Sequence, residues 1–365
     1  MKRALTLAAR GRGHVEPNPM VGCLIVRGKK IIGRGYHRKF GGPHAEINAL
    51  RAAGARARGA TVYVTLEPCC HHGKTPPCTD ALIAAGVKRV VASMPDPFAE
   101  VRNKGLRQLR SAGIEVAIGC CKTEAATLNG PYLKLQNTLL PWVILNWAQS
   151  LDGKIATRKG DSKWISSPES RKYAHRIRGR VDAVIVGVGT VIADDPMLNC
   201  RLSRPRRVAA RIVIDPELRT PISAKVVQSA DKIPSIIATD RRLIASRKIA
   251  GYQRAGIEII GLPYTRAGLA LRQLLKKIGR RGMTNIMVEG GGKTLGSFFD
   301  AGLADEAIIF VSRRLIGGNL ASSPLAGKGP AKISEVISPL ETKVTRCGND
   351  DVYHLRLRDP LDDLP

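Results

Sequence analysis

Short runs rich in Val and Ile alternate with stretches of helical periodicity along the first third of the chain. The strand-like runs are VGCLIV, IIGRGY, TVYVTL, RVVASM and IEVAIG, and between them lie the helical stretches HAEINALRAAG and CTDALIAAG. Short β-branched runs predict buried strands, and apolar positions three and four apart predict helices that pack on a sheet. We therefore expect a three-layer α/β domain between Val21 and Ile118.

A second series of strand-like runs begins after Pro141. Residues 122–141 predict a helix and a linker, and the runs that follow are WVILNWAQS, VDAVIVG, RIVID, SIIAT, IEIIG, NIMVEG, EAIIFV and YHLRL. Helical stretches separate several of them, which is again typical of an α/β domain. A chain of 365 residues is long enough for two domains with separate cores, so we expect one at 1–141 and another at 142–365.

The chain is strongly basic, with 59 Lys and Arg residues, 30 Asp and Glu residues and a formal net charge of +29. Such an excess is typical of nucleic-acid-binding proteins. The excess is spread along the chain, however, because residues 1–141 carry 22 basic and 8 acidic residues and residues 142–365 carry 37 and 22. Aromatic residues, which could stack on bases, make up only 4% of the chain. We therefore expect a solvated basic surface and no specific nucleic-acid partner.

The sequence favours a cytoplasmic protein without a membrane partner. It has no run of about 18 apolar residues, which a membrane-spanning helix requires. The basic start MKRALTLAARGRG has the composition of a transit peptide, but its apolar spacing also fits an amphipathic first helix, which we favour. Eight cysteines with no secretory segment before the fold favour a reducing compartment over a disulfide framework.

The segment EPCCHHGKTPPC, which ends at Cys78, has cysteines spaced for a metal site. Cys69 and Cys78 can supply two thiolates, and His44 of the upstream His-Ala-Glu can supply an imidazole. Three protein ligands leave one position of a zinc ion for water, as in catalytic sites, and Glu46 would then move protons without binding the metal. The alternative is a closed structural site whose fourth ligand is Cys70, His71 or His72.

Two glycine-rich turns follow predicted strands in the second half. GVGT at 187–190 follows DAVIV, and EGGGKT at 289–294 follows NIMV. Backbone amides in such turns can approach a phosphate, although neither turn has the spacing of a Walker loop or a GxGxxG fingerprint. On spacing alone, a phosphate site and an ordinary tight turn are equally good interpretations.

Several motifs together resemble the bifunctional deaminase and reductase family of riboflavin biosynthesis. In the first half these are PNPMVG at 17–22, HAE at 44–46 and the TLEPC segment with its second cysteine. In the second half they are SLDGKIA at 150–156, WI at 164–165, GTV at 189–191, ADDP at 193–196 and EGG at 289–291. The resemblance covers nearly the whole chain. It implies a cytidine-deaminase-like first domain and a dihydrofolate-reductase-like second domain.

The resemblance also implies two consecutive reactions. The first is zinc-dependent deamination of 2,5-diamino-6-ribosylamino-4(3H)-pyrimidinone 5′-phosphate, and the second is NADPH-dependent reduction of the ribosyl group of the product, 5-amino-6-(5-phosphoribosylamino)uracil, to ribityl. One zinc ion per chain and NADPH would be the cofactors, and phosphorylated small molecules would be the partners. A homo-oligomer is compatible with the sequence.

Site residues carry over by resemblance at the matching positions. In the deaminase half, the proton-transfer residue is Glu46 and the zinc ligands are His44, Cys69 and Cys78. The substrate contacts implied there are Asn18, His37, His71 and Lys74. In the reductase half, the implied cofactor contacts are Ala148, Trp164, Thr190, Asp194, Gly291, Gly292, Lys293, Thr294, Leu295, Gly296 and Ser297. The implied substrate contacts of that half are Ser162, Arg178, Leu198, Arg201 and Glu289.

Asn146 is a departure from the family pattern. Where the family typically has Lys in the strand before SLDG, this chain has Asn146, so an amide replaces a full positive charge. Two alternatives therefore stay open beside the bifunctional enzyme: an active deaminase with an impaired reductase half, and a nucleic-acid-binding or RNA-editing deaminase. The net charge favours the second alternative, but an RNA deaminase has no use for an NADPH site or a second α/β domain.

Overall fold

The computed structural model describes residues 1–72, 76–266 and 268–363, and the chain divides into two compact units. Unit 1 comprises Met1–Leu139 together with the last residues from Asp359, and unit 2 comprises Leu140–Arg358. The boundary predicted from the sequence assigns the C-terminal residues to the second domain. They belong to unit 1 because Leu361, in the 3-10 helix Pro360–Asp363, packs against one of its buried clusters.

Unit 1 alternates strands and helices. Its described strands are β1 (Gly22–Arg27), β2 (Lys30–Tyr36), β3 (Thr61–Val64), β4 (Arg89–Ala92) and β5 (Glu115–Ile118). Its described α-helices are α1 (Lys2–Ala8), α2 (Ala45–Ala53), α3 (Cys78–Ala84), α4 (Lys104–Ser111) and α5 (Lys122–Thr138). The strands form one sheet in the order β2-β1-β3-β4-β5, in which β1 is antiparallel to β2 and β3 and the last three strands are parallel.

Helices cover both faces of this sheet. On one face, α2, α3 and α4 bury Ala49, Leu82 and Leu106, and on the other α1 and α5 bury Leu5 and Leu133. The predicted three-layer α/β domain is therefore confirmed.

Two glycines of β2 bring α2 close to the sheet. A Cβ at Gly33 would lie 2.4 Å from the Ala49 carbonyl oxygen, and one at Gly35 would lie 2.1 Å from that of Ala45. A side chain at either position would push the helix away, so the glycines set the depth at which α2 begins. That depth positions His44, the residue before the helix.

Unit 2 is also an α/β unit. Its described strands are β6 (Trp142–Ser150), β7 (Ala183–Gly187), β8 (Ala210–Ile214), β9 (Ser235–Asp240), β10 (Glu258–Leu262), β11 (Tyr264–Thr265), β12 (Gly268–Leu269), β13 (Asn285–Val288), β14 (Glu306–Ser312), β15 (Glu341–Cys347) and β16 (Asp350–Arg356). Its described α-helices are α6 (Pro168–Arg178), α7 (Val188–Asp194), α8 (Lys225–Gln228), α9 (Lys248–Arg254), α10 (Leu271–Gly279) and α11 (Gly292–Asp300).

The main sheet of unit 2 is parallel from β10 to β14. Its strand order is β10-β9-β8-β7-β13-β6-β14-β16-β15, and the last two strands are antiparallel to their neighbours. Buried side chains of α6 to α9 pack on one face of the sheet, and those of α10 and α11 pack on the other. Parallel strands end at the same edge, so the segments that follow β6, β7 and β13 lie side by side.

No helix in the described part of the chain is both long enough and apolar enough to cross a membrane.

Candidate active sites

Unit 1 brings the three predicted zinc ligands together at the starts of two helices. His44 immediately precedes α2, Glu46 lies in the first turn of that helix, and Cys78 is the first residue of α3. Cys69 lies in the loop between β3 and α3. One ligand atom from each of the His and the two Cys residues lies within 4.8 Å of the others.

The distances between these atoms fit a tetrahedral zinc ion. His44 Nδ1 is 3.4 Å from Cys69 Sγ and 3.3 Å from Cys78 Sγ. Zinc–nitrogen bonds of about 2.0 Å and zinc–sulfur bonds of about 2.3 Å at a tetrahedral angle separate such atoms by about 3.5 Å. The three residues can therefore hold zinc with little rearrangement.

The residues considered as a fourth ligand make other contacts. Cys70 Sγ is 3.8 Å from the Glu100 carbonyl oxygen, and the His71 ring packs edge-on against Phe98. His72 is exposed. Across the described part of the chain the ligand group has three members, as a catalytic zinc site requires.

The contacts between the two ligand sulfur atoms shift the pKa values of their thiols in opposite directions. The Cys78 backbone N–H donates to Cys69 Sγ at 3.4 Å. Hydrogen bonding from the Cys78 side chain is the main cause that lowers the pKa of the Cys69 thiol to about 4, and the same contact raises the pKa of Cys78. These shifts favour a thiolate at Cys69 over one at Cys78, and zinc binding would require both sulfurs to give up their protons.

Glu46 is buried beside the zinc ligands without being one of them. Burial is the main cause that raises its pKa to about 7, and the charge of Cys69 acts in the same direction. A carboxyl group with a pKa near neutral pH can both accept and release protons in one reaction cycle. Glu46 thus has the property that the predicted proton-transfer role requires.

A cavity of about 320 Å³ in unit 1 has His44, Cys69 and Glu46 in its lining, and its size suits a small molecule. Asn18, His37 and His71 line it as well. His37 Nδ1 is 3.2 Å from the Pro43 carbonyl oxygen, which can only accept, so Nδ1 carries the proton. His37 Nε2 then accepts from the Asn18 amide at 3.4 Å. Lys74, also predicted here, lies outside the described residues.

The two glycine-rich turns of unit 2 lie on the neighbouring strands β7 and β13 and contact each other. The Gly291 N–H donates to Thr190 Oγ1 at 3.2 Å. A Cβ at Gly189 would meet no atom within 4 Å, and one at Gly291 would meet only Thr190, at 3.9 Å. At Gly189 and Gly291 the turns therefore leave open space beside backbone amides, which fits a phosphate-bearing cofactor.

The other predicted cofactor residues, Ala148, Trp164 and Asp194, lie on different segments of unit 2. Ala148 lies in β6, and Asp194, at the end of α7, forms an ion pair with Lys163 at 3.1 Å. Trp164 is 57% exposed and lies under the guanidinium of Arg171, 4.5 Å from its ring centroid.

Residues 291–297 form the start of α11 and the residue before it, and their side chains point in different directions. Lys293 is exposed, whereas Leu295 is buried in the core of unit 2. The Ser297 hydroxyl donates to the Thr294 carbonyl oxygen at 2.8 Å. Leu295 could therefore reach a cofactor only through its backbone.

Two of the predicted substrate residues bind each other. Arg178 Nε and Nη2 donate to both carboxylate oxygens of Glu289, with a shortest distance of 2.7 Å. Leu198 is buried and Arg201 is exposed, while Ser162, whose carbonyl oxygen accepts from the Ile165 N–H, is intermediate.

His175 is a further polar residue near this pair that the sequence analysis missed. It lies on α6 three residues before Arg178, and its Nδ1 accepts from the Arg201 backbone N–H at 3.1 Å. Burial is the main cause that lowers its pKa to about 4, and the charges of Arg178 and Arg201 act in the same direction. The sequence offered one signal for His175, its position three residues before the predicted substrate residue Arg178 on a helix. Its contact with Arg201 could not be predicted locally, because the two residues are 26 positions apart.

Comparison with known proteins matches both halves of the chain. Residues 1–94 match the family described as "Cytidine and deoxycytidylate deaminase zinc-binding region", and residues 141–352 match "RibD C-terminal domain". The riboflavin biosynthesis protein RibD of Aquifex aeolicus is 44% identical, over 98% of this chain and 97% of that protein. The chain belongs to the RibD family. RibD of Escherichia coli is 40% identical, over 97% of this chain and 98% of that protein.

Solved RibD structures agree with this assignment. Acinetobacter baumannii RibD has a TM-score of 0.85 at 35% identity, covering 98% of this chain and 97% of that one. A Thermotoga maritima relative described as a "diaminohydroxyphosphoribosylaminopyrimidine deaminase/ 5-amino-6-(5-phosphoribosylamino)uracil reductase" has a TM-score of 0.82 at 34% identity, covering 98% and 97%. The predicted fold class, a cytidine-deaminase-like domain followed by a dihydrofolate-reductase-like domain, is confirmed.

Family membership decides between the interpretations that the sequence left open. The chain is a bifunctional deaminase and reductase of riboflavin biosynthesis, with zinc and NADPH as cofactors. Neither an RNA-editing deaminase nor an enzyme with an impaired reductase is favoured by these relatives. The departure at Asn146 nevertheless remains: its Nδ2 donates to the Ile308 carbonyl oxygen of β14 at 3.0 Å.

Proposed function

We propose that unit 1 deaminates 2,5-diamino-6-ribosylamino-4(3H)-pyrimidinone 5′-phosphate and that unit 2 reduces the ribosyl group of the product with NADPH. The observation that carries the proposal is the convergence of His44, Cys69 and Cys78 beside a cavity whose lining includes His44, Cys69 and the buried Glu46. The name of the Thermotoga maritima relative, which specifies both reactions, supports the choice of substrates.

For the deaminase, His44, Cys69 and Cys78 would hold the zinc ion. A bound zinc supplies an activated water at neutral pH. Glu46 then transfers protons: its carboxylate takes one from the attacking water, passes it to the ring nitrogen, and helps to protonate the departing ammonia. Asn18 and His37 form a hydrogen-bonded pair in the cavity lining, so they are suited to orient a polar pyrimidine.

For the reductase, the turns at 187–190 and 289–294 would hold the phosphates of NADPH, which supplies hydride when bound. The acceptor is C1′ of the ribosylamino group in its open, protonated imine form, and hydride converts that imine into the neutral amine. The Glu289 carboxylate, which is paired with Arg178, would stabilise the positive charge of the imine. Arg201 and the remaining Arg178 nitrogen, Nη1, are suited to bind the ribosyl phosphate.

We also propose that the enzyme is a homo-oligomer paired through β15. This edge strand is exposed from Glu341 to Arg346. An exposed edge with unpaired backbone groups is a template for another strand. Antiparallel pairing of β15 with its copy about a twofold axis between Lys343 and Val344 would set Glu341 opposite Arg346 of the copy, which is charge-complementary. Val344→Pro should reduce the mass measured by light scattering to that of a monomer, whereas an unchanged mass would exclude this interface.

A reducing, cytoplasmic location fits the same chemistry. All eight cysteines are unpaired, and two of them are needed as zinc ligands. Fractionation of the native cells should recover both activities in the cytoplasmic fraction.

A coupled assay tests the proposed function. Ammonia release and NADPH oxidation are measured on the same purified protein with the diaminopyrimidine phosphate as the only pyrimidine. We expect one NADPH oxidised for each ammonia released once the intermediate reaches a steady level. Ammonia release without NADPH oxidation would contradict the reductase assignment. The absence of both ammonia release and NADPH oxidation would contradict both assignments.

A further inference from the structure

The ion pair between Arg178 and Glu289 is unusually well defined for this basic chain. Three contacts of 2.9, 3.2 and 2.7 Å join the guanidinium to the carboxylate. The side chains are only 18% and 9% exposed. A bidentate contact fixes the plane of the carboxylate as well as its charge, and burial reduces screening by solvent.

Glu289 lies next to Asn146 on the sheet. The parallel register pairs Val288 of β13 with Leu145 of β6, so the residues that follow them, Glu289 and Asn146, are neighbours. Glu289 lies two positions after Met287, and Asn146 lies two positions after Ile144. Met287 and Ile144 belong to the same buried cluster. Strand side chains alternate between faces, so both Glu289 and Asn146 belong to the face that carries α6.

Asn146 cannot supply positive charge to this site, and its donor group is already engaged. It is buried, and its Nδ2 donates to the Ile308 carbonyl oxygen at 3.0 Å. A carbonyl oxygen only accepts, so the NH₂ group must be directed at β14 and the amide oxygen must be directed elsewhere. One of its two N–H bonds is thus used within the sheet, and the amide carries no charge.

The other basic side chains nearby do not pair with Glu289. His175 is neutral at physiological pH because burial, with help from the two arginines, lowers its pKa to about 4. The Arg201 guanidinium contacts Asn199 Oδ1 at 3.4 Å. Within the described part of the chain, the ion pair of Glu289 is with Arg178.

We propose that Arg178 is the positioning residue of the reductase. It holds the Glu289 carboxylate in one orientation, and it supplies from α6 the positive charge that Asn146 does not supply from β6. The proposal rests on the proposed role of Glu289 in reduction. It predicts that the charge can be moved between these two elements, because both positions border the same carboxylate.

Charge relocation is the first test, and NADPH oxidation with the deaminated substrate is the assay. We expect Arg178→Met to lower kcat about 100-fold, since it leaves a buried carboxylate unpaired and free to reorient. Adding Asn146→Lys to Arg178→Met should recover at least tenfold of that loss. The matched control, Asn146→Met with Arg178→Met, has a side chain of similar length without charge and should recover nothing. Equal recovery in the control, or no recovery with lysine, would overturn the proposal.

A double-mutant cycle with Glu289→Gln covers the case in which Arg178→Met fails to fold. Arg178→Met combined with Glu289→Gln contains no unpaired buried charge, so it should fold, and NADPH binding measured by fluorescence checks that it does. If Arg178 acts through Glu289, the double variant should have the same kcat as Glu289→Gln alone. A further large fall in kcat would overturn the proposal.

The split between kcat and KM separates positioning from direct substrate binding. A role through Glu289 should lower kcat in addition to any rise in KM from the proposed phosphate contact of Arg178. An effect of Arg178→Met confined to KM would mean that Arg178 only binds phosphate, which also overturns the proposal. Wild type serves as the reference for the underlying function. Wild-type protein that binds NADPH but never oxidises it would refute the proposed reductase activity itself, a result distinct from all of these variant outcomes.

Discussion

In the proposed mechanism, Glu46 and the three residues beside it divide two tasks, proton transfer and metal binding, although they all belong to one site. The ligand atoms belong to His44, Cys69 and Cys78, and the buried carboxyl group is outside that set. Glu46→Gln should therefore retain one zinc per chain, measured by atomic absorption, and lose ammonia release by about 1,000-fold. The reason is that the amide is nearly the same size but cannot exchange protons.

Cys78→Ser is the matched control for Glu46→Gln. It removes a thiolate from the ligand group, so both zinc and ammonia release should be lost. If Glu46→Gln also lost its zinc, the separation of the two tasks would be wrong.

Asp96 has a carboxyl group whose ionisation opposes folding. It is 7% exposed and accepts from the Tyr132 hydroxyl at 2.7 Å and the Phe98 N–H at 3.0 Å. Burial is the main cause that raises its pKa to about 6, above the unfolded value of about 3.9. The folded state thus holds this proton more tightly, and the corresponding stability is lost as pH rises through about 4 to 6.

Asp96→Asn removes this ionisation while its amide oxygen can still accept both hydrogen bonds. Relative to wild type, the free energy of unfolding of the variant should rise by about 2 kcal/mol between pH 4 and pH 7. Denaturant titrations of both proteins at several pH values measure the difference, which cancels effects common to the two. Parallel pH curves would show that Asp96 does not titrate in this range.

The sequence predicted those site residues whose chemistry requires particular residue types close together in the chain. His44, Glu46, Cys69 and Cys78 were found from their types and spacing, and the structure brings them together. His175 was missed because its contact partner, Arg201, is remote in sequence. Arg211 lies in the predicted strand RIVID, yet it is fully buried because carbonyl and hydroxyl oxygens of residues 226–235 surround it, which no local pattern encodes.

At the scale of elements, the pattern of apolar residues predicted the strands that have a buried face. It did not predict an exposed strand. The runs from VGCLIV to YHLRL correspond to observed strands. β15, with the sequence ETKVTRC, was not predicted, because six of its seven residues are exposed and it has no apolar period. Its pairing with β16 depends on backbone hydrogen bonds, which are independent of side-chain hydropathy.

A buried side chain of α5 holds the loop that carries Asn18. Asn129 accepts from the Met20 N–H at 2.8 Å and donates to the Met20 carbonyl oxygen at 3.0 Å, so it satisfies both backbone groups of one residue. Asn129→Leu should lower the free energy of unfolding by about 2 kcal/mol or more, because two buried polar groups lose their partner. It should also raise the KM for deamination, because the loop lines the cavity.

Thr127→Leu is the control on the same helix, since Thr127 is exposed and the change should alter stability by less than about 0.5 kcal/mol. Denaturant titrations measure the free energy of unfolding of both variants, and steady-state kinetics measure their KM for deamination. An Asn129 variant as stable as the control would mean that the loop is held by other contacts.

At the scale of the whole molecule, each set of site residues belongs to one unit. The zinc ligands, Glu46 and the cavity belong to unit 1, and the glycine-rich turns with the Arg178–Glu289 pair belong to unit 2. The two units do not simply follow each other along the chain, because the residues from Asp359 onward come after unit 2 but belong to unit 1. The deaminase unit is therefore complete only after the reductase unit has been synthesised.

This arrangement predicts that a chain ending at Arg358 is impaired in its first activity, although it is shortened after its second unit. Leu361 packs against the cluster that contains Leu133 and Tyr132 of α5, and removing it exposes apolar surface of that helix. Heat inactivation of ammonia release should occur several degrees lower than in the full chain, while heat inactivation of NADPH oxidation with the deaminated substrate should be unchanged. Asp362→Ala, which changes an exposed residue of the same segment, should leave both temperatures unaltered. A truncated chain that loses NADPH oxidation first would show that these residues support unit 2.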